Sequence, residues 1–339
     1  MCATMRSTDA SSSRPRGTIL PATALILFCT ALLGLWVAHS QLAALRSADQ
    51  ELRMRELFAV AGTGLEAAFA EAALLLETEP AFDAGGRFRI AGPAGIHDGW
   101  SYETFIHNEM LLPFDLRIIE IESLARDDSG GVRRQRQQAR LRPWLATIPS
   151  APVIVHGAAV LPGDVILRNM HGDVLAWSGG VFTAPYATLD AAESARCPPA
   201  GICELHAVLA AREGSAAFEY WLGREHGALR SASAQHDAIG WMDGAIVIEG
   251  IADYGSAAAP QLLIIAGDLE VRGTLKVHGV LYVDGSLEGT GDISVHGALI
   301  VAGDAMHQGR MAIAYEPGAL QVLAQRGTYA RIPGSWNDF

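Results

Sequence analysis

The sequence predicts an α+β chain: one very long N-terminal helix that crosses a membrane, then a β-rich head with a hexapeptide-period β-helix or solenoid. Three observations predict it. Thr18 to Val37 is a run of twenty uncharged, mostly apolar residues, enough to cross a hydrocarbon core of ~30 Å as a helix. From Ser40 to Thr78 there is no proline, and Ala, Leu, Glu, Gln and Arg dominate, all good helix formers. Glycines then recur every six residues at Gly267, Gly273, Gly279, Gly285, Gly291, Gly297, Gly303 and Gly309, a period that belongs to β-helix repeats.

The helix is taken first. Leu57, Ala61, Leu65, Ala68, Ala72 and Leu75 are spaced by threes and fours, which places them on one helix face. The inner half is therefore expected in lipid and the outer half against a globular domain. Gly62 and Gly64 lower helix propensity and predict a slight bend. Pro80 follows the expected end at Thr78.

Residues 80–112 mix Gly, Pro and aromatic residues and carry no clear period. Leu116 to Ala125 alternates as a strand, with Ile118, Glu120, Glu122 and Leu124 on one face. A turn signal at Asp127 to Gly131 leads into Val132 to Leu145, which carries Arg133, Arg134, Arg136, Arg140 and Arg142. An acidic strand beside a basic one predicts a hairpin with opposite-charge cross-strand pairs, in preference to a nucleic-acid or lipid surface.

In the repeat, Leu269, Leu275, Leu281, Leu287, Ile293 and Leu299 lie two residues after a glycine, and Val271, Val277, Val283, Val295 and Val301 lie four after. Each repeat reads as a short strand with two inward apolar residues and a glycine at the corner where the chain bends. Three repeats make one coil, and the coils must stack to bury a core. The same rhythm at Gly157 and Gly163, and at Gly244 and Gly250, predicts a solenoid that begins near Val153 and is interrupted at about 176–240. Trp177 to Gly180 marks the expected exit and Gly240-Trp241 the return. The domain plan is thus a leader at 1–17, the long helix at 18–79, a connecting region with a β-hairpin at 80–150, and the solenoid head at 151–339.

Half of the residues are apolar and the net charge is −12, a poor balance for binding nucleic acid. The segment before the apolar run holds Arg6, Arg14 and Arg16 against Asp9, so the positive-inside rule places the N-terminus inside and the head outside. Of four cysteines, Cys197 and Cys203 fall in the head, where an oxidising compartment favours a local disulfide. His206 alone does not complete a zinc site with them. His278 and His296, one coil apart, are the best candidates for a catalytic base or metal ligand, weighed against two solvent-facing corner histidines. Asp268, Asp292 and Asp304 follow corner glycines without a calcium-loop spacing. No nucleophile elbow, Walker loop, zincin or dinucleotide motif is present. No enzyme activity, catalytic set, metal or cofactor is expected.

The stretch from Arg14 to Ala72, with Arg16-Gly17-Thr18 before a Leu-rich span and Leu65-Glu66-Ala67-Ala68 towards its end, resembles the N-terminus of PilX-type minor pilins of type IV pilus systems. The segment Pro333-Gly334-Ser335-Trp336-Asn337-Asp338-Phe339 is similar to the Pro-Gly-Ser-Trp-x-Asp-Phe segment of that family. The resemblance implies a pilin-like helix, prepilin cleavage between Gly17 and Thr18, and residence in a bacterial inner membrane with the head in the periplasm or at the pilus tip. It implies other minor pilins, the major pilin, the prepilin peptidase and a tip-associated adhesin as partners, with roles in pilus biogenesis, adhesion and twitching motility. One position departs from major pilins, which carry Glu five residues after the cleaved glycine: here it is Ala22. That loss fits a capping or priming subunit. A K-type pseudopilin of type II secretion shares it, and a membrane-tethered hexapeptide acyltransferase or a bactofilin-like scaffold would share the repeat.

Overall fold

A computed structural model describes residues 19–76, 83, 86–97, 99–107, 118–191, 197, 201–212 and 214–338. The long helix spans Ile19–Leu76, 58 residues, or about 87 Å at the α-helical rise. Its outer part lies across an antiparallel sheet of strands Arg87–His97, Trp100–His107, Ile118–Arg126, Val132–Pro143 and Gly327–Arg331, in that order. Leu57, Ala61, Leu65, Ala68 and Ala72 are buried there, against Ile106, Ile119, Ile121, Ala125 and Ala139. Gln135, itself buried, donates from Nε2 to the Phe58 carbonyl at 2.9 Å and ties sheet to helix. Gly64 has a packing role that the helix propensity hides. A Cβ there would fall on Ser123 Oγ and within 2.8 Å of two Tyr102 ring carbons, so glycine sets how closely the helix lies on the sheet.

The hairpin pairs Glu122 with Arg136 across strands. Glu122 is buried and is reached by Arg134 Nε at 3.0 Å, Arg136 Nε at 3.0 Å and His107 Nε2 at 2.8 Å. Burial raises its pKa, but His107, Arg136 and Arg134 outweigh burial and hold it below 4.5. Among the described residues the pairing reaches Ile118 opposite Arg140.

The rest of the head is a stack of parallel strands. Strand Thr274–Val283 pairs with Asp292–Val301 over its whole length, residue 274 facing 292. The same eighteen-residue step joins 269 to 287, 287 to 305 and 293 to 311. The Leu and Val rows of the repeat form one continuous core. At Gly267, Gly273, Gly285, Gly291, Gly303 and Gly309 the backbone φ is not in the left-handed region; a Cβ there would lie within 3 Å of the neighbouring rung. Close rung-to-rung approach, more than tight bending, accounts for most of the glycine period.

Two features depart from the pattern read in the sequence. Ala176–Ser178 pairs in parallel with Val153–Val155, Phe182–Thr183 with Ala159–Val160, and Ala187–Ala191 with Val165–Asn169. Residues 176–191 thus continue the stack, and Trp177 to Gly180 is part of a rung. The order is also permuted. Val153–Val155 pairs with 299–301 and Val165–Asn169 with Met311–Ala314, so the first rung in sequence lies on the last. Between 192 and 238 the described residues add one short parallel strand, Ile202–Cys203 on Ala176–Trp177, and then leave the stack to carry helices Ala207–Ala210, Ser215–Leu222 and His226–Ser233.

These helices, with Pro317–Gln325, cover one outer face of the stack. Phe218, Trp221, Leu222, Leu229, Leu320 and Leu323 pack on the outward Leu262, Ile264, Val280, Tyr282 and Ile300. A second, outer core therefore lies against the repeat. Asp284, also in an outward phase, is half-buried: His226 Nε2 lies 2.9 Å from it and Tyr282 donates at 3.3 Å.

Candidate functional site

The most unusual surface is the inner part of the long helix. Every residue from 21 to 56 is exposed, including Leu25, Leu27, Phe28, Leu33, Leu35 and Trp36. No described residue covers the most apolar eighteen-residue window of this segment. Such a surface is stable in water only if lipid or other helices cover it. Gly17 and Thr18 lie outside the described residues.

The segment after the last long strand fastens the packed part of the helix. Arg331 forms an ion pair with Glu66 and lies over the Phe69 ring at 4.7 Å. Gly334 turns with φ +78°, and Ser335 Oγ donates to the Ile332 carbonyl at 2.6 Å while accepting from Gln138 N at 3.1 Å. Trp336 meets Phe58 edge-on at 5.6 Å, and Asn337–Asp338 adds a short strand to Val132–Pro143. Pro333 is exposed, and Phe339 lies outside the described residues. The aromatic and turn residues of this segment therefore brace the helix on its sheet.

His278 and His296 stack ring on ring at 4.5 Å and 8°. Burial and the neighbouring His278 lower the His296 pKa, against a weaker upward pull from Glu316. Two imidazoles with no carboxylate paired to either, among the described residues, lack an oriented base. Asp268 accepts Ser286 N–H at 2.8 Å and Asp304 accepts Ala158 N–H at 2.8 Å. Each carboxylate thus caps the next rung. Among the described residues no group of three His, Cys, Asp or Glu could hold a metal. Cys197 and Cys203 are joined in a disulfide with Cα atoms 5.2 Å apart, and Cys203 packs with Ala151 and Val174.

The sequence pattern missed two features. The outer core was signalled by the four-residue apolar runs 262–265, 280–283 and 298–301, since strands buried on both faces lose alternation. Arg224 carried no periodic signal at all.

No family model matches the chain, and no curated protein matches it. Among solved structures it aligns with the competence-associated pilin ComZ from Thermus thermophilus. The alignment covers 86% of this chain and 96% of that one at 10% identity, with a TM-score of 0.26. At that score the two chains share no more than a loose outline.

Proposed function

We propose that this chain is a PilX-like minor pilin, a non-enzymatic, membrane-anchored subunit that primes or caps a type IV pilus assembly. One observation carries the reading: a single 58-residue helix whose apolar inner part is wholly uncovered while its outer part is packed on the head. A plain membrane anchor needs ~20 residues. The extra uncovered turns between Ser40 and Glu56 suit a helix that also packs beside other helices beyond the bilayer. Arg14 to Thr18 supplies the basic, glycine-ended leader that a prepilin peptidase would cut, which leaves residues 18–79 as the pilin-like helix. In this reading the parallel stack at 153–314 is a β-solenoid, supported by the eighteen-residue step, while 327–338 belong to the sheet under the helix, and the head faces the periplasm. Other minor pilins, the major pilin and a tip-associated adhesin are the partners.

Mass spectrometry of the mature N-terminus tests the core of this reading. A start at Thr18 is expected; retention of Met1, or cleavage after Val37, overturns it. Ala22 adds a test of the capping role. It offers no carboxylate to a neighbour's N-terminal ammonium in low dielectric, so Ala22→Glu should raise the amount of this subunit along purified filaments. Wild-type subunit already at shaft abundance overturns the capping role.

A further inference from the structure

Where the helical segment, the basic strand and the C-terminal strand meet, Arg224 lies against the backbone of Arg142, and among the described residues neither arginine is in an ion pair. Helix Ser215–Leu222 ends at Gly223, whose φ of +65° turns the chain and delivers Arg224 into the junction. Arg224 is 9% exposed. Its guanidinium lies over the Trp144 ring at 4.7 Å and donates from Nη2 to the Arg142 carbonyl. Its Nε has no hydrogen-bond partner, and no carboxylate forms an ion pair with it or with Arg142 among the described residues. Burial and the Arg142 charge push the Arg224 pKa down to about 10. A buried cation held fixed beside a second cation is costly unless an anion joins them.

There is room for one. Two adjoining cavities of about 460 and 300 Å³ share Arg142, Arg224 and Ala228. Ser231, Gln235 and Thr328 supply neutral polar groups to the smaller, and Glu219 and Glu225 line the larger.

We propose that this junction binds a carboxylate between the guanidinium groups of Arg224 and Arg142. A guanidinium edge matches the two oxygens of a carboxylate, and Trp144 fixes the Arg224 guanidinium plane. Glu219 and Glu225 repel excess negative charge, so a monoanion is preferred to a phosphate dianion. The carboxylate comes from a small organic acid or from an acidic side chain of a protein partner.

The full chain in detergent micelles is titrated calorimetrically, at fixed ionic strength, with acetate, with phosphate, and with a short peptide bearing one glutamate. Acetate or the glutamyl peptide is expected to bind. Tighter acetate assigns a free small acid, and a tighter peptide assigns a partner's side chain. Arg224→Met and Arg142→Gln should each weaken that binding by about tenfold or more. Arg142 is exposed, so Arg142→Gln keeps the fold and carries the test if Arg224→Met unfolds. Absence of binding by both carboxylates, phosphate binding tighter than either, or unchanged affinity in Arg142→Gln overturns the proposal.

Discussion

Gly62 and Gly64 lie two residues apart on the long helix, and alanine should act with opposite sign at the two. Each Gly→Ala change gains up to ~1 kcal/mol of helix propensity. At Gly62 the nearest atom to an added Cβ is Gln135 Oε1 at 3.7 Å, an ordinary contact, so the gain is kept. At Gly64 the Cβ would fall on Ser123 Oγ and the inner Tyr102 ring carbons. Ser123 belongs to a strand and is fully buried, and the affected ring atoms are close to the backbone, so neither can simply swing away. Overpacking of this kind costs ~1–3 kcal/mol. The expected net effect at Gly64 is a loss of up to about 2 kcal/mol after the propensity gain. Urea unfolding of the full chain in micelles, followed by Trp fluorescence, would read both variants. A higher midpoint for Gly62→Ala and a lower one for Gly64→Ala are expected. Stabilisation by both would show that the helix does not lie on the sheet at the distance described.

Val283 is fully buried on the inner row and Glu288 is exposed, so Val283→Asp should destabilise by several kcal/mol, on the order of an unpaired buried charge, while Glu288→Ala should change stability little; equal effects would refute the phase. Burial holds the His156 pKa below 6.5 despite its bonds to the Leu209 and Arg212 carbonyls, so the unfolded chain takes this proton first. Its share of stability is complete above about pH 6.5 and is lost as the pH falls from there through the lower folded-state value. His156→Gln should therefore flatten the pH dependence of the urea midpoint by at most about 1.4 kcal/mol per pH unit, and an unchanged slope would refute the assignment. Reduction of Cys197–Cys203 should cost about 2 kcal/mol, as for a short closed loop; peptide mapping of unreduced protein that finds both thiols free would discard it.

Features repeated with a fixed local period were legible in the sequence. The buried face of the long helix, the inward Leu and Val rows, and the Glu122–Arg136 pairing each follow from spacing and residue type. Features set by long-range choice were not. The inward pattern Leu161, Val165 and Leu167 fits either end of a parallel stack equally well, because every rung presents the same row. Only three-dimensional closure selects the 299–313 side. Arg142 reads as one more member of a basic strand, yet its carbonyl accepts from Arg224, which comes from a distant helix end. Helix propensity carries no sign of the packing role of Gly64, because it weighs a residue alone, whereas the Cβ space there belongs to Tyr102 and Ser123.

The permuted stack has a consequence for how helix and head are joined. The spatial order of the long rungs runs 239–243, 261–266, 274–283, 292–301, 311–314, 165–169 and 187–191. Residues 153–191 therefore find their inner neighbour only after residues 299–313 exist, which gives this part of the head contacts of long sequence separation and slows its closure. The antiparallel sheet obeys the same logic. Strand Gly327–Arg331 seals the free edge of Val132–Pro143, and Arg331 and Trp336 then reach Glu66 and Phe58 on the helix. Both late contacts converge on the basic strand and its continuation at Trp144, which is bonded to Arg326. Arg331 and Trp336, which follow the stack in sequence, thus add to the hold that Ile106, Ile119, Ile121 and Gln135 give the helix.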